Sequence, residues 1–190
     1  MAIIAALSAG NPAIEPSRAL LNDMLGADLY PPAKTADIVG DQRALLLAAR
    51  EGTEVLGAAV CRLLYADDAD YYHAFGATAL ELFTHHRVGS LEALAVKPTR
   101  QRRGLGTELT RAQMRWLADQ GCDVAVAVSW IPAGRSTSGP MYERLEFVGT
   151  APIDDFYLEE SIADGWTCPQ CQGPCHCAGA LFYARLEIGR

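Results

Sequence analysis

The chain has 190 residues, 50% of them hydrophobic and 21% charged, with a formal net charge of -7 and a pI near 5.0. That length buries one core well, so a single domain over residues 1–190 is expected. The acidic balance argues against nucleic-acid binding, because a phosphate backbone needs a broad basic face and the basic residues here gather in one short stretch.

The opening MAIIAALSAGNP carries a short apolar run without a basic leader, which predicts a first strand rather than a signal peptide, and no segment has the length of a membrane span. Apolar residues at helical spacing between Pro16 and Gly26 predict a short helix over 16–26. DLYPPAKTAD reads as a loop. RALLLAARE and TEVLGAAVCRLLY flank Gly52 as antiparallel neighbours joined by a tight turn. DDADYYHAFG reads as a connection, and ALELFTHHR as a short helix or an irregular strand.

SLEALAVKP is a buried strand that stops at Pro98. After it, Leu105, Leu109, Ala112, Trp116 and Leu117 share one face of a helix that closes on Gly121. The valine-rich CDVAVAVSW then reads as a strand covered on both faces. Strand, glycine loop, helix and strand make a βαβ unit, whose helix N-terminus offers unpaired N–H groups and a positive dipole end to an anion.

The loop is VKPTRQRRGLGTEL. Gly104 and Gly106 allow close backbone approach, while Arg100, Arg102 and Arg103 add local charge, which suits a pyrophosphate. A nucleoside-triphosphate loop would carry a lysine followed by Ser or Thr, and a dinucleotide fold GxGxxG; both are missing.

QRRGLG resembles the Q/R-x-x-G-x-G/A signature of the GNAT superfamily of N-acetyltransferases, and LEALAVKP resembles the strand that leads into it. PMYERLEF resembles the family's short helix ending in Tyr-x-x-x-Gly-Phe, with Glu146 where glycine is usual. The resemblance covers roughly residues 45–148. It implies a mixed α/β (α+β) fold with a strongly twisted, mostly antiparallel sheet flanked by helices. It further implies acetyl-CoA as cosubstrate, its pyrophosphate on the amides of Gln101, Arg102, Arg103, Gly104, Leu105, Gly106 and Thr107 and its arm beside Leu94, Ala95 and Val96 like an added strand.

The activity implied is acetyl transfer to a primary amine of a small molecule or peptide by direct attack on the thioester. Such an amine must first lose a proton. Glu92, in the strand before the loop, is the first candidate base, since a carboxylate desolvated there titrates closer to neutrality. His85 and His86 are the second choice, and Tyr142 is the candidate that protonates the leaving thiolate. The acidic, aromatic run over 67–72 falls where family members place substrate-facing residues, although a solvated loop is the simpler reading. The asparagine that family members carry ahead of the tyrosine is missing from WIPAGRSTSGPMY, leaving Arg135, Ser136 or Ser138 in its place. A homodimer is a further expectation of the resemblance.

Near the C-terminus, WTCPQCQGPCHCAG defines a Cys-rich loop over 166–179 between two expected late strands, TAPIDDFYL and ALFYARLEI. Cys168, Cys171, Cys175 and Cys177 can surround one Zn2+ ion tetrahedrally; His176 could replace one thiolate, but in an extended segment its side chain points away from its neighbours'. With four protein ligands no position stays open, so the zinc would be structural, and C-x-C spacing together with a cytoplasmic setting disfavours disulfides. The alternative function is a non-catalytic binding or regulatory module on the same fold, docking a partner through the zinc loop.

Overall fold

The computed structural model describes residues 2–187, which leaves Met1 of the expected first strand and Ile188 of the expected last one outside the described residues. Seven strands form one sheet in the order β1-β2-β3-β4-β5-β7-β6: β1 Ile3–Ala6, β2 Ala44–Glu51, β3 Glu54–Leu63, β4 Val88–Val96, β5 Val124–Ile131, β6 Val148–Gly149 and β7 Ala178–Arg185. Every pairing is antiparallel except β4 with β5, the pair that the βαβ reading required. Helices α1 Ile14–Leu25, α2 Pro32–Gly40 and α3 Gly76–His85 cover one face, and α4 Leu105–Asp119 with α5 Gly139–Arg144 covers the other. A short α6, Leu158–Ala163, precedes the cysteine loop. Among the described residues no helix is long and apolar enough to cross a membrane.

The expected α/β architecture with a mostly antiparallel sheet is therefore present, with two local corrections. The stretch read as a loop after Gly26 contains α2, which starts on Pro32 because a proline's fixed φ and missing N–H are harmless in a helix's first turn, and which buries Thr35 and Ile38. TAPIDDFYL is not a strand. The ladder beside β7 ends after Gly149, Ile153 adds one isolated bridge to Gly179, and the chain turns at Asp155 (φ 53°) into α6. Pro152 cannot donate to a ladder, and Phe156 packs on Phe75 and Tyr71 instead of extending the sheet.

Two features shape the centre of the sheet. The parallel pairing of β4 with β5 spans only Val88↔Val124, Gly89↔Ala125 and Ser90↔Val126. On its other side β4 has one residue too many against β3: the register runs from Arg62↔Ser90 to Val60↔Ala93, so Leu91 and Glu92 together oppose Cys61. A bulge of this kind bends its strand. β4 therefore follows β3 away from β5, while β5 stays with β7, and the sheet opens into a V.

α4 seals the back of that V. Its face is amphipathic as expected, with Leu109 and Leu117 fully buried, but two polar side chains, Thr110 and Gln113, are buried between them. Gln113 Nε2 donates to the carbonyls of Val60 (2.7 Å) and Ala93 (3.3 Å), the two residues paired at the edge of the bulge. Gly89 lets the helix come this close: a Cβ there would lie 2.3 Å from Leu117 Cδ2. Beyond Asp119 the helix closes with bonds from Gly121 N to Ala118 O and from Cys122 N to Leu117 O, the Schellman pattern.

Replacing Gln113 by leucine keeps the volume and removes both bonds from buried carbonyls. Chemical denaturation is expected to show a loss of about 1–3 kcal/mol; a change within about 0.5 kcal/mol, the range of neutral surface substitutions, would show that the bulge does not need its side-chain donor.

Candidate functional site

The loop from Val96 to α4 is built around its amides. Pro98 starts a single 3-10 turn over Pro98–Arg100, and Gln101 Nε2 donates back to Val96 O at 3.0 Å, tying the loop to the strand end. Arg102 (φ 58°) and Gly104 (φ 85°) are both left-handed on either side of Arg103, an alternation that turns successive N–H groups inward as an anion nest. Among the described residues, the amides of Arg102, Arg103, Gly104, Leu105, Gly106 and Thr107 donate to no protein acceptor; the first bond of the helix runs from Glu108 N to Gly104 O. Space beside Gly104 is open, with nothing within 4 Å of the point where a Cβ would stand.

The neighbouring charges divide. Lys97 pairs with Glu54 at 2.7 Å and Arg100 with Glu51 at 2.8 Å, whereas Arg102 and Arg103 are exposed without an ion pair among the described residues. The expected cradle thus keeps two free guanidiniums at its rim. Leu94, Ala95 and Val96 pair with β3 on one edge, and their other edge, past Ser90, faces the opening of the V with no strand against it.

That opening leads into a cavity of about 540 Å³. Ser90 to Leu94 of β4 form one wall and Val128 and Trp130 of β5 the other, with Tyr142 reaching in from α5. Tyr142 is buried; desolvation pushes its phenol up to about 12, against the opposing pull of a hydrogen bond with Ser138. Its position is set by the end of α5, where Phe147 N donates to Tyr142 O and Glu146 N to Glu143 O, another Schellman closure. The left-handed residue of this closure is Glu146 (φ 64°), so the glycine conformation survives without the glycine, and Phe147 still packs on the Tyr142 ring with centroids 5.1 Å apart.

Glu92 lines the cavity, with both oxygens engaged: Tyr30 Oη donates to Oε1 and Arg62 Nε to Oε2, each at 3.1 Å. Arg62 also pairs with Asp41 at 3.5 Å. His85 and His86 lie at the C-terminal end of α3 and do not line the cavity. The acidic run does line it: the chain over 67–72 forms part of a 3-10 helix, Ala66–Phe75, that brings Asp67, Asp68, Tyr71 and Tyr72 to the cavity, and Tyr72 Oη donates to Ser90 Oγ at 3.1 Å. Of the residues put forward for the missing asparagine, Arg135 is exposed, and Ser136 and Ser138 are bound to Ser129 Oγ at 2.6 and 2.9 Å.

Sequence reasoning did not place Tyr30, Arg62, Tyr157, Glu160 or Trp166 in this cavity, yet all five line it. Tyr30 comes from the turn after α1 and Arg62 from β3, while Tyr157, Glu160 and Trp166 come from the late segment around the cysteine loop. The four cysteine sulfurs lie within 4.8 Å of one another, with Cys168 to Cys177 at 3.9 Å and Cys171 to Cys177 at 3.7 Å. Zinc–sulfur bonds of about 2.3 Å place tetrahedral sulfurs roughly 3.8 Å apart, so the cluster fits such an ion closely. Burial opposes ionisation of Cys168, but hydrogen bonds from the amides of Cys171 and Gln170 and with the Cys175 and Cys171 thiols together hold it below its ordinary value, whereas burial pushes Cys175 up to about 11. His176 turns away, its Nδ1 2.9 Å from Asp155 Oδ1.

This loop is stitched to the rest of the cavity wall. Ala27 and Thr167 exchange two backbone hydrogen bonds at 3.0 Å, the Trp166 ring packs where a Cβ on Gly26 would meet it at 2.9 Å, and Cys175 N donates to Ser161 Oγ of α6 at 2.8 Å. Trp166 and three of the cysteines form one buried cluster with Leu29, Trp130 and Tyr157 against it.

A profile of the acetyltransferase (GNAT) family matches residues 18–147. A search of curated proteins finds no match. Among solved structures, Arabidopsis thaliana NAA60 in complex with acetyl-CoA superposes with a TM-score of 0.69 at 13% identity, over 97% of this chain and 98% of that one. The ribosomal-protein-S18-alanine N-acetyltransferase from Escherichia coli gives 0.63 at 15% identity over 100% and 97%. A GNAT family acetyltransferase from Elizabethkingia anophelis with acetyl-CoA bound gives 0.60 at 15% over 97% and 98%. At these identities the likeness is one of fold, and it is the family match, over more than half of the sequence and including the loop before α4, that shows the chain to belong to the acetyltransferase (GNAT) family.

Proposed function

We propose that the protein is an acetyl-CoA-dependent N-acetyltransferase acting on a primary amine of a small molecule or a peptide. The observation that carries the reading is continuity. Six amides at the start of α4 and two arginines beside them, all without partners among the described residues, and the edge of β4 past Ser90 lead without interruption into a cavity lined by carboxylates and aromatic rings. The amides of 102–107 with Arg102 and Arg103 would hold the pyrophosphate, Gln101 would fix the loop by its bond to Val96 O, and Leu94, Ala95 and Val96 would flank the arm.

The bound thioester supplies an electrophilic carbonyl at the apex of the V. The acceptor enters from the side of Asp67, Asp68, Tyr71 and Glu160, where negative charge beside aromatic faces suits an ammonium group. A carboxylate of the cavity takes one proton from the amine, which then attacks directly. Tyr142 stands at the leaving sulfur as donor. With its phenol pushed up to about 12, above a thiol's usual value of about 8.5, it stabilises the developing thiolate by hydrogen bonding in preference to surrendering its proton. The zinc reading completes the proposal: one Zn2+ on Cys168, Cys171, Cys175 and Cys177 as a structural ion, in a reducing, cytoplasmic compartment that keeps the thiols free.

Calorimetric titration with acetyl-CoA should show binding by the wild type and none by Gly104→Glu, which puts bulk and negative charge on a left-handed position of the cradle. Binding by both, or by neither, would refute the cradle. Tyr142→Phe should keep acetyl-CoA affinity and lower kcat about 10- to 100-fold; binding without turnover of any amine by the wild type is instead the outcome of the non-catalytic alternative.

Metal analysis should find one zinc per chain. Stripping it, or Cys171→Ser, is expected to lower Tm by roughly 5–10 °C, as a loss of about 2–4 kcal/mol does in a chain of this size, while acetyl-CoA affinity is retained because the cradle lies on the other face of the sheet from α1 and α2. No metal uptake, or equal loss of acetyl-CoA binding, would contradict a purely structural role.

A further inference from the structure

The cavity holds two glutamates in different circumstances, and that difference assigns their roles. Glu92 has each oxygen in a 3.1 Å bond, one from Tyr30 and one from Arg62, and Arg62 is itself braced by Asp41. To accept a proton it would have to break an ion pair. Among the described residues the Glu160 carboxylate makes no ion pair, and its one side-chain hydrogen bond is a long one, from Tyr71 Oη at 3.5 Å. We propose that Glu160 is the catalytic base, the carboxylate that receives the proton of the acceptor amine, and that Glu92 is a positioning residue that orders Tyr30 and Arg62.

The surroundings of Glu160 support this. Burial is the largest influence on it and holds its carboxyl above the usual range; the charged and titratable groups facing it are Lys34 from α2, Asp164 from its own helix, Tyr157 just before that helix, Tyr71 and Tyr72 from the 3-10 helix, Tyr30 from the turn after α1 and Glu92 from β4. Lys34 and the Tyr71 hydrogen bond pull downward, Asp164 and Glu92 upward. The contrast with Glu92 is one of geometry: one carboxylate has both oxygens held at 3.1 Å, the other has a single long contact. Its placement is not left to α6 alone, because the neighbouring Ser161 accepts from Cys175 N and so fastens the helix to the cysteine loop.

This assignment rests on the transferase reading and deepens it. The acceptor arrives as an ammonium ion, and one N–H proton passes to a Glu160 oxygen, directly or through one water. The freed lone pair forms the bond to the thioester carbonyl carbon, and the C–S bond breaks with its electron pair on sulfur. A second N–H proton ends on that sulfur, beside Tyr142, leaving the amide and free coenzyme A thiol. Glu160 then returns its proton to solvent, so one ammonium and one thioester yield one amide, one thiol and one proton.

The test uses the full chain and whichever of tyramine, putrescine and an alanine-initiated peptide the wild type acetylates fastest. Glu160→Gln should bind acetyl-CoA with wild-type affinity and lose at least about a hundredfold in kcat/KM at neutral pH. The wild-type rate should fall as pH drops through the raised carboxyl, on an acid limb above the ordinary glutamate range, and this limb should vanish in Glu160→Gln. Glu92→Gln should be slower than the wild type yet keep the limb, and Glu160→Asp should recover part of it. If Glu160→Gln raises KM alone and leaves kcat and the limb in place, Glu160 is only a binding anion and the assignment is overturned; it is equally overturned if the limb disappears with Glu92→Gln. A wild type that binds acetyl-CoA and acetylates none of the three amines overturns the transferase reading, and the base with it, an outcome distinct from loss of the assignment alone.

Discussion

Three residue pairs hold the two halves of the sheet together. Val88, Gly89 and Ser90 of β4 meet Val124, Ala125 and Val126 of β5, and then the extra residue in β4 turns it away. Each strand leaves the pairing with a full complement on its other side, β4 against β3 and β5 against β7, so opening the V costs few backbone hydrogen bonds. It exposes one strand edge where a ligand can pair and one cavity where water can be displaced. The buried Gln113 meets the carbonyls of Val60 and Ala93 beside the bulge and ties the irregularity to α4, the same helix whose N-terminus carries the cradle. Anion site and cleft are thereby fixed relative to each other by one element.

The second half of the cavity has a different origin. Its wall is assembled from segments remote in sequence: the turn after α1, the 3-10 helix before α3, α6, and the cysteine loop. Short elements of this kind bury little apolar surface by themselves. The cluster of Cys168, Cys171, Cys175 and Cys177 gathers the turn after α1 and α6, through the Ala27 and Thr167 ladder, the Trp166 contact with Gly26 and the bond to Ser161, while the 3-10 helix joins them by packing Tyr71 and Phe75 on Phe156. A metal ion held by these four thiolates would brace that wall of the cavity from outside it, as a closed four-thiolate site does.

How much of this was legible depended on whether the signal was local. The β4, loop, α4, β5 succession could be read because apolar period, proline stop and glycine loop all lie within forty or so consecutive residues. The cysteine spacing was equally explicit. α2 was not, since two prolines and a lysine obscure a helix whose buried face is only Thr35 and Ile38. The aromatic residues of TAPIDDFYL pattern like a strand, but Pro152 and the left-handed Asp155 break it and Phe156 finds aromatic partners elsewhere. Gln113 escaped because polar residues add nothing to an apolar stripe. Tyr30, Arg62 and Glu160 reach Glu92 and the cavity only through the folded topology, and no spacing in the sequence announces contacts of that range.

If one continuous track, from the amides of 102–107 along the open edge of β4, receives acetyl-CoA, amide hydrogen exchange measured with and without acetyl-CoA should be slowed at 102–107 and along 92–96, with the cysteine loop little changed. Protection centred on the cysteine loop, or none in the loop before α4, would show that the ligand lies elsewhere.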